Sequence, residues 1–279
     1  MSRPLFSCVV PVKGARPFIA DALASLEAQG MGEELEIIVQ DGGVGSGGVE
    51  KVVSGGVGEL VSGGVVSGRV GWFKEKDVGQ SDALNKGFAK AKGEWLFWLN
   101  ADDVLLPGAL KRVLDRINRI DRIEWITGNQ LLIDDAGKVL ECSVGNGWHD
   151  WLYRNAVPHV YGPSAFFRRE LFEKVGGFDV NLKYCMDWDL WIKFMKTGAK
   201  FFRINDYLWA QRQWSGSKTQ RALSKQEMAE HFAEVNRMCA KNGFRMTKGG
   251  VWLTRAVRLL EGCYLKEFAD GLKWKGNAV

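Results

Sequence analysis

Histidine is scarce in this sequence. There are three in 279 residues, at 149, 159 and 231, and they share no metal-ligand spacing. The five cysteines, at 8, 142, 185, 239 and 263, lie far apart and form no C-x-x-C pair. An odd, scattered set excludes a disulfide framework and a zinc knuckle, and fits reduced thiols. No apolar run approaches the roughly 18 residues that a spanning helix needs. The first residues lack the shape of a signal peptide. A cytoplasmic protein is therefore expected. There is no P-loop, no H-E-x-x-H and no G-x-S-x-G.

What is present is an ordinary globular composition, 46% apolar and 25% charged, which excludes disorder and supplies a large core. The net charge of +5 is too small to argue for nucleic acid. Its distribution says more. From Lys241 onward there are eight basic and three acidic residues, a surplus equal to that of the whole chain.

The first hundred residues alternate strand and helix. Residues 6–10, 35–39, 70–73 and 95–99 read as strands, the last apolar throughout, as a strand covered on both faces should be. Ile19, Ala22, Leu23 and Leu26 mark one helical face. Leu84, Gly87, Phe88 and Ala91 mark a second, and Leu110, Val113, Leu114 and Ile117 a third. This order predicts an α/β fold with a mostly parallel, Rossmann-like sheet and helices on both faces. Ligands of such sheets bind beyond the carboxyl ends of the strands. Residues 42–71 hold 12 of the 34 glycines and read as a poor helix near Val49 and a loop, or as a low-complexity insertion. The G-x-G-x-x-G match at Gly43, Gly45 and Gly48 is expected by chance in such a segment.

After Ile120 the alternation stops. Short strands are predicted near Trp125 and Leu131, with a turn over 134–137. A strand follows over 165–169 and a helix over 187–196. Two amphipathic helices are predicted at the end, over 222–240 and 251–268.

Carboxylates mark the candidate site. Asn100-Ala101-Asp102-Asp103 directly follows the buried fourth strand. Hard oxygen ligands there suit Mg²⁺ or Mn²⁺ on a diphosphate; the other reading is a helix N-cap. Asp187 and Asp189 are two apart ahead of a helix, so one can face the crevice as a general base while the other caps the helix. Trp95, Trp98 and Trp191 read as core or crevice wall. Trp148, Trp151, Trp188, Trp209 and Trp214 read as core or as sugar-stacking platforms.

Taken in order, seven stretches resemble the family-2 glycosyltransferases, which have the GT-A fold. They are residues 9–13 (VVPVK), 37–43 (IIVQDGG), 77–87 (DVGQSDALNKG), 93–103 (GEWLFWLNADD), 166–169 (FFRR), 176–179 (GGFD) and 186–191 (MDWDLW). The resemblance implies a GT-A domain over residues 1–220, with a nucleotide-binding half (1–103) and an acceptor and catalytic half (104–220). A helical extension would occupy 221–279.

The resemblance implies the following roles. Pro11, Val12 and Lys13 line the base pocket, and Asp41 bonds the nucleobase. Asp77, Asp82 and Lys86 belong to the donor site. Asn100, the first position of the family's D-x-D, reaches the ribose, and Ala101 beside it belongs to the donor site. Asp102 binds the metal, and Asp103 supports it or contacts the donor sugar. Asp187 is the base of the family's E-D motif, with Met186 in place of the glutamate.

The implied activity is inverting transfer from a nucleotide sugar, with UDP favoured, to a glycan or lipid-linked hydroxyl, as in polysaccharide biosynthesis. A non-catalytic glycan- or nucleotide-binding protein is the alternative. In place of the family's Arg-x-His-x-x-Ser, this chain has Arg212-Gln213-Trp214 and then Ser217. Trp214 cannot ligate a metal, so water fills that position, metal binding is weak, or activity is lost. Arg212 and Lys218 are phosphate contacts or surface charges, and His159 and Trp188 are acceptor contacts in this reading. The basic C-terminal segment, rich in Trp and Leu, implies peripheral membrane contact or a packed or homodimeric helix.

Overall fold

The structure, a computed structural model, describes residues 3–14, 17–43, 65–66, 70–147, 160–216 and 225–279. The helix expected near Val49 and most of the glycine-rich segment lie outside these residues.

Period-two alternation builds the sheet. In β1 (Phe6–Val12), Phe6, Cys8, Val10 and Val12 enter one core and Val9 enters the other. α1 (Ile19–Glu27) follows, then β2 (Leu35–Asp41), β3 (Val65–Val66) and β4 (Val70–Lys74). α2 (Gln80–Lys90) leads to β5 (Trp95–Trp98), whose four residues are all buried. β6 (Val104–Leu105), α3 (Ala109–Arg119), β7 (Trp125–Ile133), β8 (Val139–Ser143) and β9 (Ala165–Arg168) come next. After α4 (Arg169–Lys174) and α5 (Met186–Lys196), β10 (Phe201–Arg212) returns to the sheet. The chain then continues as α6 (Lys225–Lys241), α7 (Lys248–Leu260) and α8 (Cys263–Trp274).

The strand order is β3-β4-β2-β1-β5-β9-β7-β10-β6, with β8 on β7. The long ladders of β1 with β2 and of β7 with β10 are parallel, as are β2 with β4 and β1 with β5. Antiparallel pairing joins the halves through β9, which sits between β5 and β7. α1 and α3 cover one face; α2, α4 and α5 cover the other. The expected α/β architecture with helices on both faces is the one observed.

Three local expectations differ from the structure. The two short strands near Trp125 and Leu131 are one nine-residue strand. The helix expected over 251–268 is two, α7 and α8, because Gly262 takes a φ of 71° between them. A left-handed residue ends a helix, and glycine takes that conformation without a Cβ clash. β10 was not anticipated. Its apolar pattern is interrupted where its register against β7 shifts, between Arg203 and Tyr207.

The core on the α5 side is an aromatic stack. Trp191 lies between Trp98 and Trp125, with ring centroids 6.2 and 5.1 Å away and interplanar angles of 21° and 16°. All three are buried. The stack ties the helix carrying Asp187 to the strand preceding Asn100. Trp191→Ala should therefore lower the stability by about 3–5 kcal/mol, read from urea unfolding. A loss below about 1 kcal/mol would mean that the stack does not hold α5 on the sheet.

Candidate active site

The parallel strands end together. Val12 is in register with Asp41, and Asp41 with Lys74, while Leu99 N donates to Val9 O just beyond β5. Side chains that follow these strands therefore share one rim. Asp41 is fully buried there. Its Oδ1 accepts from Gly43 N at 2.9 Å, and its Oδ2 has no hydrogen-bond partner among the described residues. An unmatched buried carboxylate oxygen costs free energy unless something donates to it. Asp77 lies alongside. Its Oδ1 accepts from Gly79 N, and its Oδ2 presses so close to Gly42 that a Cβ there would come within 2.3 Å. Pro11 is partly buried, Val12 is buried and Lys13 is exposed at the end of β1.

The loop after β5 is held by a buried knot. Asp103 is 1% exposed; its Oδ1 accepts from Arg212 N at 3.0 Å and its Oδ2 from Asn100 Nδ2 at 2.8 Å. Burial, followed by the charge of Asp102, pushes the Asp103 carboxyl up to about 8 against these bonds. The Arg212 guanidinium is also buried. It donates to the carbonyls of Asp102 and Asp135, pairs with Asp21 at 3.0 Å, and lies over the Phe18 ring. These contacts correct two expectations. Arg212 has no reach to a phosphate, since its donors are spent on the protein. Asp103 is not left for a donor sugar, since both its oxygens are taken by Arg212 and Asn100, and it acts as a support.

Asn100 accepts from Gln80 Nε2 at 2.9 Å, and Ala101 is buried between Asn100 and Asp102. Asp102 is half-buried, and its Oδ2 accepts from Trp214 Nε1 at 3.0 Å. Trp214 also packs edge-on against Phe18. An N–H bond to a carboxylate is charge-assisted, so the indole holds Asp102 in position. Among the described residues no three His, Cys, Asp or Glu side chains gather to hold a metal ion. The donor set offered is one carboxylate at a strand-end rim. That fits a Mg²⁺ or Mn²⁺ ion completed by diphosphate oxygens and water, the usual manner of phosphate-bound Mg²⁺.

Asp187 stands in the first turn of α5, where its Oδ1 accepts from Trp188 N. A Cβ on Gly162 would come 3.3 Å from Asp187 Oδ2 and 2.6 Å from the Trp98 ring. Asp187 Oδ2 therefore lies beside the ring of Trp98, the last residue of β5. Asp189 is turned away and buried, paired with Lys193 at 2.9 Å. It does not cap the helix, whose N-cap, Cys185, makes no side-chain cap bond. Trp188 is also turned away. It is buried against Val235 and Met238 of α6, which removes it as an acceptor contact, and Trp209 is likewise core. Asp82 and Lys86 pair with each other at 2.8 Å, and Asp82 also accepts from Val78 N. The pairing with Lys86 holds the Asp82 carboxyl below its usual range. Both side chains brace the start of α2. Lys218, His159, Trp148 and Trp151 lie outside the described residues.

Two sets of contacts that sequence reasoning missed aim Asp187. From α2, Ser81 Oγ donates to Leu182 O, and Asn85 exchanges two 2.9 Å bonds with Phe178. From α6, the buried Glu234 carboxylate accepts from the backbone N–H groups of Lys183, Tyr184 and Cys185. The loop entering α5 is thus gripped from both sides. The available sign was a glutamate on the apolar stripe of Val235, Met238 and Cys239, a place a carboxylate takes only when it is paired.

Burial would raise the Glu234 carboxyl, but the three N–H bonds outweigh it and hold it below its usual range. Asp179, bonded to Lys241 of α6, is held at about 2. Both groups bind protons more weakly when folded. Their contribution is complete above about pH 5 and is lost as pH falls towards 2. Glu234→Gln should lower stability at pH 7 by about 1–3 kcal/mol and flatten the acid limb of the curve of unfolding midpoint against pH. An unchanged acid limb would remove Glu234 from the clamp.

The chain is similar to known proteins in sequence and in fold. An uncharacterised glycosyltransferase of Rickettsia prowazekii is 27% identical over 277 residues, 95% of this chain and 83% of its own length. One from Rickettsia typhi is 26% identical over 71% of this chain, which spans only 61% of that relative. A PGL/p-HBAD biosynthesis glycosyltransferase of Mycobacterium bovis is 24% identical over 71% of this chain and 73% of its own length. Among solved structures, Staphylococcus aureus TarS 1–349 in complex with UDP-GlcNAc shares the fold, with a TM-score of 0.63 and 18% identity. That match covers 85% of this chain and 66% of the other. The mannosyltransferase PcManGT of Pyrobaculum calidifontis, in complex with GDP-Man and Mn²⁺, does so with a TM-score of 0.59 and 20% identity, over 85% and 65%. The model of glycosyl transferase family 2 matches residues 7–176, more than half of the length, and the chain belongs to that family.

Proposed function

We propose that this chain transfers a sugar from a nucleoside-diphosphate donor to a hydroxyl of a glycan or lipid-linked acceptor, inverting the anomeric centre. One observation carries the reading. Asp41, with its unmatched oxygen, ends β2, Asp102 follows β5, and the Asp187 carboxylate lies by the ring of Trp98, the last residue of β5. UDP is the favoured nucleotide, supported by the UDP-GlcNAc bound to the TarS neighbour.

In this reading Asp41 Oδ2 accepts an N–H from the base, with Asp77 beside it, and Pro11, Val12 and Lys13 form the base pocket. Asn100 faces the ribose. Asp102 would hold Mg²⁺ or Mn²⁺ together with the diphosphate, and the ion supplies positive charge where the leaving group gathers negative charge. Asp187 takes the proton of the acceptor hydroxyl. The acceptor oxygen bonds to the anomeric carbon from the face opposite the diphosphate. The bond from that carbon to the diphosphate oxygen breaks, and its electron pair leaves with the nucleotide. The GT-A domain would end near residue 220, with the helices beyond it bracing α5 through Glu234.

The bond from Trp214 to Asp102 favours a second reading, a nucleotide- or glycan-binding protein without turnover. Calorimetry with UDP, GDP, CDP and TDP, each with Mn²⁺ or EDTA, tests both. The proposal predicts metal-dependent binding of one nucleotide, weakened at least about tenfold in Asp102→Ala. It also predicts slow hydrolysis of the matching nucleotide sugar. Binding without hydrolysis would favour the second reading, and no binding to any of the four would contradict both nucleotide readings. Trp214→His restores a metal-ligating side chain and should tighten Mn²⁺-dependent binding by about tenfold. Unchanged binding would remove the indole as the element that weakens the metal site.

A further inference from the structure

Helices α7 and α8 are built inside out. In α7 the residues turned into the protein are Gly250, Thr254, Val257 and Arg258, at i, i+4, i+7 and i+8. The opposite face, at 252, 253, 256, 259 and 260, is apolar and exposed. Trp252 is 69% exposed and Leu260 86%. α8 repeats the inversion. Leu265, Phe268 and Leu272, at i, i+3 and i+7, are 71, 69 and 75% exposed.

The acidic residues of these helices and their connection are spent on bonds to the chain itself. Glu267 accepts from Val144 N and pairs with Arg258 at 2.6 Å. Asp270 accepts from Tyr207 Oη and from Lys266. Glu261 accepts from Gly147 N. Every carboxylate of α7, α8 and their connection therefore bonds the chain itself. Apart from Glu261, the exposed charges of this segment are cations: Lys248, Arg255, Lys273 and Lys275. Lys248 and Arg255 stand one turn to either side of Trp252, and Arg255 lies over its ring at 5.3 Å.

A helix that pairs its acids inward and turns Leu, Phe and Trp to water is shaped for a second apolar phase, not for solution. We infer that the exposed face of α7 and α8 docks on an anionic phospholipid surface, its apolar side chains entering the acyl boundary and its cations meeting the headgroups. Charge selects this occupant over a second copy of the chain. A two-fold pair would bring the same cationic rim against itself. Trp252 and Tyr264, at the edge of the apolar face, have the amphipathic rings that favour the headgroup level. This inference stands apart from the proposed reaction, since it needs neither donor nor metal.

The test is flotation of the full chain with phosphatidylcholine vesicles containing about 30% phosphatidylglycerol, and with pure phosphatidylcholine vesicles. Binding to the anionic vesicles should be at least about tenfold tighter and should fall as salt rises. The triple variant Leu260→Ser, Phe268→Ser, Leu272→Ser should lose it. These side chains are exposed, so its unfolding midpoint should stay at the wild-type value. Arg255→Glu with Lys248→Glu should weaken binding to anionic vesicles only. Three results would overturn the inference: equal binding to both vesicle types, no flotation of a monomeric chain, or a dimer in sedimentation that the triple variant dissolves.

Discussion

The carboxylate of Asp103 is where the two halves of the sheet meet. It is enclosed, with one oxygen on the backbone of Arg212 at the end of β10 and the other on Asn100 after β5. Arg212 then extends the joint with a buried guanidinium, reaching the turn after β5, the β7–β8 turn and α1. A guanidinium charge and a carboxyl group are taken out of water here. Such burial is tolerable only when each polar atom finds a partner, as these do. The knot leaves Asn100 and Asp102 at the rim with little freedom. Preorganisation of that kind is what a site for a diphosphate and a leaving group requires.

Asp187 is placed by a separate device. Its helix is stacked on the sheet through Trp98, Trp191 and Trp125, while the loop before it is held by Ser81 and Asn85 on one side and by Glu234 on the other. The side chains on α2 belong to the stretch DVGQSDALNKG, so much of that motif acts by positioning. The role of α6 follows from the same contacts. It covers Trp188 and supplies the Glu234 carboxylate, and thereby becomes part of the support of the aspartate.

The parallel half was legible because its signals are local. Buried strands read as apolar runs, and their covering helices show one apolar stripe each. That Asp41 ends a buried strand and Asp102 follows one was legible; that Asp103 turns under to Arg212 was not. What failed depends on distant partners. Arg212 looked like a phosphate contact because nothing near it in sequence shows that Asp21, Asp102 and Asp135 converge on it. Trp188 looked like a crevice residue because it adjoins Asp187, yet the 100° step of a helix turns it onto α6. β10 was missed because its pattern breaks at the register shift. The split between α7 and α8 turned on the left-handed Gly262, which the amphipathic reading ran through.

Trp214 gives the site its individual character. Its indole N–H donates to one oxygen of Asp102, so a neutral donor holds that carboxylate. The central claim is nonetheless that Asp187 performs the proton transfer at a rim that binds the donor without it. The most direct measurement compares donor affinity and turnover for the wild type and Asp187→Asn, once a donor and acceptor pair is in hand. The account predicts donor affinity within about twofold and turnover reduced by at least about a hundredfold. Wild-type turnover in Asp187→Asn, with the donor still bound, would contradict it.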